Sequence, residues 1–379
     1  MREALEFLLP VLRTSLGATL GLSLCFSNGA NAAIWHSAAS VSTTVEHDSN
    51  PLLSSDNKTA VTRTRVTPDY SLTGTFGRDE LRAGFGLNLE RSSDASIIAD
   101  REDPNLQLTW QRETEVGGFG LTSRYSETST LSDEVEQTGV VATDGTQKTY
   151  SLGGNWSAAV SERSTLANNT EYKRVEYDID SLTSYDNVST SLSWNYAWSE
   201  RVEPFTSFAV SRYEPQDSNL AAASNSYTPS VGLQLKITER LEGSVHAGLN
   251  KVSGTEGGPS GQGGFDLRYE GERFDVSFDV GRSTVAGGDG GFTEVSSYTG
   301  AWSYAIDEIS RGGLSASWQD SKGETPNTTQ NFGAWASREL SLFWIARLSL
   351  MHKQRQQDGF ADASANVLGL TLTYSHPDF

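Results

Sequence analysis

Along residues 185–213 apolar and polar side chains take turns, and this pattern recurs through nearly the whole chain. Val188, Thr190, Leu192, Trp194, Tyr196 and Trp198 are separated one by one by Ser189, Ser191, Ser193, Asn195 and Ala197. After Ser199-Glu200-Arg201 the alternation resumes in Val202, Pro204, Thr206, Phe208 and Val210. Successive Cβ atoms of a strand point to opposite sides of a sheet, so a period of two describes one apolar face and one polar face. Short turns carrying charge or glycine are predicted at 77–80, 115–118, 161–163, 199–201, 238–240, 271–273, 306–310 and 337–339. The connections between them are longer and rich in Gly, Ser, Asp and Asn, as at 255–264 and 286–291.

Strands are predicted at 34–46, 59–76, 81–91, 104–114, 119–130, 147–160, 164–177, 185–198, 202–213, 225–237, 241–253, 262–270, 274–284, 292–305, 311–320, 327–337, 340–354 and 363–375. The alternation slips over 168–175, and the first segment and 330–337 are the other two least regular stretches. Tight turns at one end, longer loops at the other and an even strand number imply an all-β fold. The expected architecture is a transmembrane antiparallel up-and-down barrel of 16–18 strands, with short periplasmic turns and longer extracellular loops.

A mean hydropathy of -0.43 fits this reading, because a spanning strand needs an apolar side chain only at every second position. No run after residue 32 approaches the roughly 20 apolar residues of a spanning helix. Residues 1–32 read as a signal peptide: Arg2 and Arg13 precede the apolar run 16–26, and Ala30-Asn31-Ala32 offers a cleavage site. The barrel would then occupy 33–379. Leu24 before Cys25 argues against lipidation, and no other cysteine follows. A formal charge of -19 argues against nucleic acid as a partner.

Trp110, Trp156 and Trp194 each stand shortly before a predicted turn, Trp344 shortly after one, and Trp198, Trp302 and Trp335 nearby. They are expected to form a belt at one membrane interface, where an amphipathic ring is best placed. The alternate positions supply a polar inner wall: Arg63, Arg65, Asp69, Arg82, Glu90, Arg124, Asp266, Arg268, Glu270, Asp275 and Asp279. Lys or Arg on the lipid side would cost roughly 2–4 kcal/mol at midplane, so confinement to one parity is a physical requirement. Opposite charges could pair and fill the interior, or the wall could line an aqueous channel; a barrel this wide has more room than side chains fill.

Dedicated chemistry is sparse. The histidines, His36, His47, His246, His352 and His376, match no metal spacing, and neither a nucleophile elbow nor a phosphate-binding loop occurs. No cofactor is expected and no catalytic residue is assigned. His47-Asp48 at a loop edge is the one pair that a rim-site hydrolase would use. Asp48-Ser49-Asn50 and Gly287-Gly288-Asp289-Gly290 carry oxygen ligands for calcium without a recognised spacing.

The first strand and loop, Val41-Ser42-Thr43-Thr44-Val45-Glu46-His47-Asp48-Ser49-Asn50-Pro51-Leu52-Leu53, followed by Val66-Thr67-Pro68 and an alternating strand, resemble a known family. It is the family of outer-membrane β-barrel porins associated with exopolysaccharide and PEP-CTERM (exosortase) loci. The resemblance implies outer-membrane passage of a secreted polysaccharide. The final strand, with Leu368, Leu370, Leu372 and Tyr374 before a terminal Phe379, resembles the signal read by outer-membrane assembly machinery. The expectation is therefore a porin or export conduit in the outer membrane of a Gram-negative bacterium, with the lipid bilayer and a polysaccharide or small polar solute as partners. The alternatives are a closed-lumen structural or adhesin barrel and a rim-site hydrolase.

Overall fold

Each alternating segment folds as a strand in the computed structural model, which describes residues 33–376 apart from 57, 132–143, 255–257, 324–325 and 358. Residues 1–32, read above as a signal peptide and holding Cys25, and the terminal Phe379 lie outside the described residues. The strands are β1 (Ile34–Asp48), β2 (Val61–Phe76), β3 (Asp79–Ser92), β4 (Arg101–Thr114), β5 (Gly117–Ser129), β6 (Thr146–Ser161), β7 (Ser164–Tyr177), β8 (Tyr185–Tyr196) and β9 (Val202–Pro215). They continue as β10 (Ser224–Lys236), β11 (Leu241–Val252), β12 (Ser260–Glu270), β13 (Phe274–Gly287), β14 (Gly291–Ala305), β15 (Ser310–Ser321), β16 (Asn327–Ser341), β17 (Trp344–Gln357) and β18 (Ala363–His376).

Every strand pairs antiparallel with its chain neighbours in one 18-stranded sheet, and β1 pairs with β18 from Ala39↔His376 to Asp48↔Val367. Closure leaves no edge strand, so the ladder hydrogen bonds of the wall are satisfied within the sheet. Eighteen strands was the upper value expected from the alternation.

Which face is inner follows from the side chains that meet. Seven adjacent strands, β17, β18 and β1 to β5, line one cavity of about 510 Å³ with Lys353, Val367, Glu46, Arg63, Glu90, Asn105 and Ser126 among its walls. Only the concave side of a closed sheet brings so many strands round one space. The opposite parity carries Val45, Phe85, Leu106, Leu350 and Leu370, all well exposed on the outside. Registers carry both faces round the barrel: Leu106 stands across from Phe85 and Tyr125, Tyr125 across from Tyr150, and Leu350 across from Leu368.

Two differences from the expected boundaries bear on the wall. Ser337-Arg338-Glu339 is not a turn. It lies inside β16, whose partner β17 begins after residues 342–343, with a register shift between Glu339 and Ser341. A charged triplet marks a turn only where strands stop at the apolar band; β16 runs past it, and its charged end has the same composition. β4 starts at Arg101 rather than 104, which adds two inward charges, Arg101 and Asp103.

The loop end is drawn inward at two places. After β1 a tight turn, closed by Leu53 N–H to the Asn50 carbonyl at 3.0 Å, holds Leu53 at φ 47°. A left-handed leucine is strained by about 1 kcal/mol, offset here by burial against Ala363 and Ala365. On the far side the β13–β14 tip bends over the rim. Ala286 and Phe292 pack against Val175, Tyr185 and Tyr213, the Tyr185 hydroxyl donates to the Ala286 carbonyl at 3.2 Å, and Thr183 N–H donates to the Gly288 carbonyl at 2.8 Å. Four strands, β9 to β12, lie between β8 and β13, so the tip spans part of the mouth.

Candidate functional site

The inner wall divides into three stretches. The first is an ion-pair network on β1 to β4 with β17. Glu90, almost fully buried, accepts from Arg65 Nε and Nη2 at 2.9 and 2.8 Å and lies 3.5 Å from Arg63 Nη1, while Arg63 also bonds to Glu46. Next to it Arg101 grips Asp103 through Nε and Nη2, donates to the carbonyls of Gly145 and Thr128 at 2.9 and 2.7 Å, and lies 3.7 Å from Asp144. Lys353 on β17 faces Asp48 at 3.6 Å. Buried ions persist where geometry and hydrogen bonds match this well, and deleting one partner of such a pair costs several kcal/mol.

The second stretch is acidic. On β12 and β13, Asp266 stands directly across from Asp279 and Glu270 across from Asp275, with Arg268 across from Ser277. Glu242 faces Arg268 from β11, and Ser244 bonds to Asp266. Carboxylates opposite one another repel, so such a wall persists where water and mobile cations screen it. β3 and β12 are nine places apart in a ring of eighteen, which puts the ion-pair network and the acidic wall on opposing sides.

The third stretch, on β7 to β10, is dominated by hydroxyls and amides. Asn169, Asn187, Ser189, Ser191, Ser193, Ser207, Ser211 and Ser230 share the inner parity. Ser207 and Ser230 are 2.6 Å apart, and the Ser211 hydroxyl donates to Asn187 at 2.7 Å.

Every charged position anticipated for the wall stands on the inner face. Arg63, Arg65 and Glu90 join one network. Arg82 pairs with Glu80 on its own strand at 2.7 Å. Arg124 stands across from Gln107 and Ser151, and Asp69 across from Ser40 and Gly86. Asp266, Arg268, Glu270, Asp275 and Asp279 form the second wall. Sequence reasoning missed Glu46, Asp48, Arg101, Asp103 and Lys353. Glu46 and Asp48 share a parity opposite to Val41 and Val45, and Lys353 one opposite to Leu348 and Leu350, so these three were legible. Arg101 and Asp103 were hidden by the late strand start.

Trp110, Trp156, Trp194, Trp302 and Trp344 stand on the outer face towards the short turns, and Trp198 lies in the turn 197–201. Trp335 does not belong with them. It pairs with Gly313 and Ser349 on the inner face, its ring packs over Gly313, and the Arg347 guanidinium lies 4.3 Å from its centroid. A Cβ on residue 313 would come within 2.7 Å of that ring, so the glycine makes room for it. Trp35, which the sequence reading passed over, joins the outer set: it lies across from Gly74 and packs edge-on against Phe76 beside the turn 77–78.

His47 and Asp48 point to opposite faces, His47 to Thr62 at 3.0 Å and Asp48 into the interior, so they cannot act on one substrate atom. Asp48 and Asn50 serve a turn, with Asp48 Oδ1 accepting the Asn50 N–H at 2.9 Å. Among the described residues no group of three or more His, Cys, Asp or Glu is arranged to hold a metal ion.

A closed antiparallel barrel of eighteen strands with an apolar outer face and a polar inner one has the fold of outer-membrane porins. OccAB4 of Acinetobacter baumannii matches it with a TM-score of 0.51 over 90% of this chain and 98% of that one, at 9% identity. OccK3 (OpdO) of Pseudomonas aeruginosa gives 0.51 over 90% and 95%, at 10% identity. The outer membrane protein OpdK of Pseudomonas aeruginosa gives 0.50 over 90% and 99%, at 8% identity. At these identities the likeness establishes the fold. No family model matches the sequence, and neither does any curated protein sequence.

Proposed function

We propose that the protein is an outer-membrane channel of a Gram-negative cell that passes a hydroxyl-rich solute, with export of a polysaccharide as its specific task. The observation that carries the reading is the contrast between the two faces. Leucines, valines and aromatic rings cover the outside, where a bilayer is the solvent that suits them, and the outward tryptophans mark one interface. The anticipated inner residues, Arg63 to Asp279, then line the passage. Hydroxyls and amides of β7 to β10 can exchange hydrogen bonds with a sugar chain without trapping it through charge, and the sequence resemblance to exopolysaccharide-associated porins points the same way. Cleavage near Ala32 and insertion guided by β18 belong to this proposal.

The rival is a barrel shut by its own loops, and the tip of β13–β14 lying over the mouth favours it. Planar-bilayer recording of the purified protein separates the two. Steady conductance, reduced when oligosaccharides are added to one side, is expected; no conductance at all would remove the channel reading. Conductance unaffected by any oligosaccharide would leave a general pore and remove the polysaccharide.

A further inference from the structure

One register row on the inner wall carries rings and glycines in turn. Phe205 on β9 stands across from Gly232 on β10, Gly232 across from His246 on β11, His246 across from Gly264 on β12, and Gly264 across from Gly281 on β13. All five share the inner parity of Ser207, Ser244, Asp266 and Asp279. A Cβ on residue 232 would run into the Phe205 ring, and one on residue 264 would come within 2.7 Å of His246 Cε1. Each ring therefore reaches sideways over the glycine of the next strand and lies along the wall. Both rings remain half-exposed. Beyond them the floor is low: among the described residues a Cβ on residue 281 would meet only the Ser297 hydroxyl, at 3.7 Å.

The row is also a path. Direct partners lie perpendicular to the strands, and spanning strands tilt by about 35–45°, so a row of partners climbs the wall. This one starts at the turn end, where Phe205 closely follows Val202, and runs on from Gly281 through Ser297 to Gln319 near the loop end of β15. Both flanks are polar. Ser207 and Ser230 follow on the loop side, and Glu203, Gln234, Asp266 and Asp279 on the turn side, where a cavity of about 510 Å³ opens beside the last three. Asn195 Nδ2 donates to Glu203 at 2.9 Å and holds that carboxylate next to Phe205.

We propose that this row is a binding track for an uncharged glycan, whose pyranose rings rest on Phe205 and His246. The proposal rests on the channel reading above. A pyranose has a face of C–H groups and a rim of hydroxyls. The C–H face fits the negatively polarised face of an aromatic ring, and the rim meets donors and acceptors on both flanks, which fix its orientation. Phe205 and His246 are two strands apart, about 10 Å along the row, so one chain of sugars can touch both. An apolar ring left half-exposed on a water-lined wall gains little from burial, and a small polar side chain would complete the wall without it. Glycines inside strands weaken a sheet and mark places of close approach; here they make room for the two rings and, at Gly281, for a ligand. Glu203, Asp266 and Asp279 repel carboxylates, which favours an uncharged chain over a uronic acid polymer.

Planar-bilayer recording of the whole barrel tests this with defined sugars. Maltohexaose or laminarihexaose is expected to interrupt the current of the parent protein, and hexagalacturonate to do so far more weakly. Phe205→Leu and His246→Leu keep an apolar side chain over each glycine but remove the ring face. Each should weaken block by the neutral sugar about tenfold, with open-channel conductance kept, and Phe205→Trp should retain it. Block unchanged in both leucine variants overturns the track while the sugar channel stands. Block by hexagalacturonate that is as strong and as dependent on the rings overturns the uncharged ligand. A steady current that neither neutral sugar interrupts in the parent overturns the track together with the polysaccharide reading, and absence of any current removes the channel itself.

Discussion

Arg101 grips Asp103, two residues further along the same strand, through two hydrogen bonds of 2.9 and 3.1 Å, and both side chains are almost fully buried. The fork has a structural consequence beyond the pair. The remaining donors of Arg101 hold the carbonyls of Thr128 and Gly145, where the chain leaves β5 and enters β6.

Arg101→Met is therefore expected to destabilise the barrel by about 3–5 kcal/mol, because Asp103 and Asp144 are left buried without their cation. Adding Asp103→Asn should recover part of the loss. Urea unfolding from detergent micelles, compared across the single and double variants, measures it.

The acidic wall should attract cations if it borders the passage. Asp275→Asn with Asp279→Asn is expected to lower cation preference, read as a reversal potential closer to zero under a salt gradient. An unchanged reversal potential would mean that these carboxylates do not face the conducting path.

Parity itself can be tested at two consecutive residues. Leu350→Arg places a cation on the apolar outer face and is expected to cost about 2–4 kcal/mol, whereas Ser349→Arg faces the interior beside Trp335 and should be close to neutral. Folding yield into lipid vesicles distinguishes them. Equal penalties would contradict the assignment of faces.

The tip of β13–β14 narrows the mouth where it rests on Tyr185 and Thr183. Replacing residues 287–290 by Asn-Gly, a pair suited to a two-residue hairpin turn, should raise single-channel conductance without changing selectivity. A conductance equal to that of the parent would show that the tip lies clear of the current.

In the loop 93–100, the Ser96 hydroxyl, at 2.6 Å, and the Ser96 N–H, at 3.0 Å, hold the Asp94 carboxyl below its ordinary range. A carboxyl lowered on folding contributes stability above its unfolded pKa of about 3.9, and that contribution is lost as pH falls through the lower folded value. Asp94→Asn should thus leave loop protection at pH 7 reduced and insensitive to acidification below about pH 4. Proteolysis of the loop across that range, with an acid-tolerant protease, reads it out.

Alternation within a strand depends only on the direction of successive Cβ atoms. For that reason the chain by itself bounded the strand count at sixteen to eighteen and carried the turns from 77 to 310 and the inward parity of residues as far apart as Arg63 and Asp279. It also held the correct side for Trp335, which shares parity with Asn331 and Ser337; nearness to a supposed turn at 337–339 obscured it. What only the tertiary structure decided are the meetings between distant segments. Lys353 reaches Asp48 because β18 closes on β1, Arg101 at the start of β4 reaches Asp144 just before β6 because β5 pairs with both those strands, and Tyr185 reaches Ala286 because a hairpin bends across the mouth. Such contacts depend on closure, register and loop path, which a local pattern of two residues does not encode.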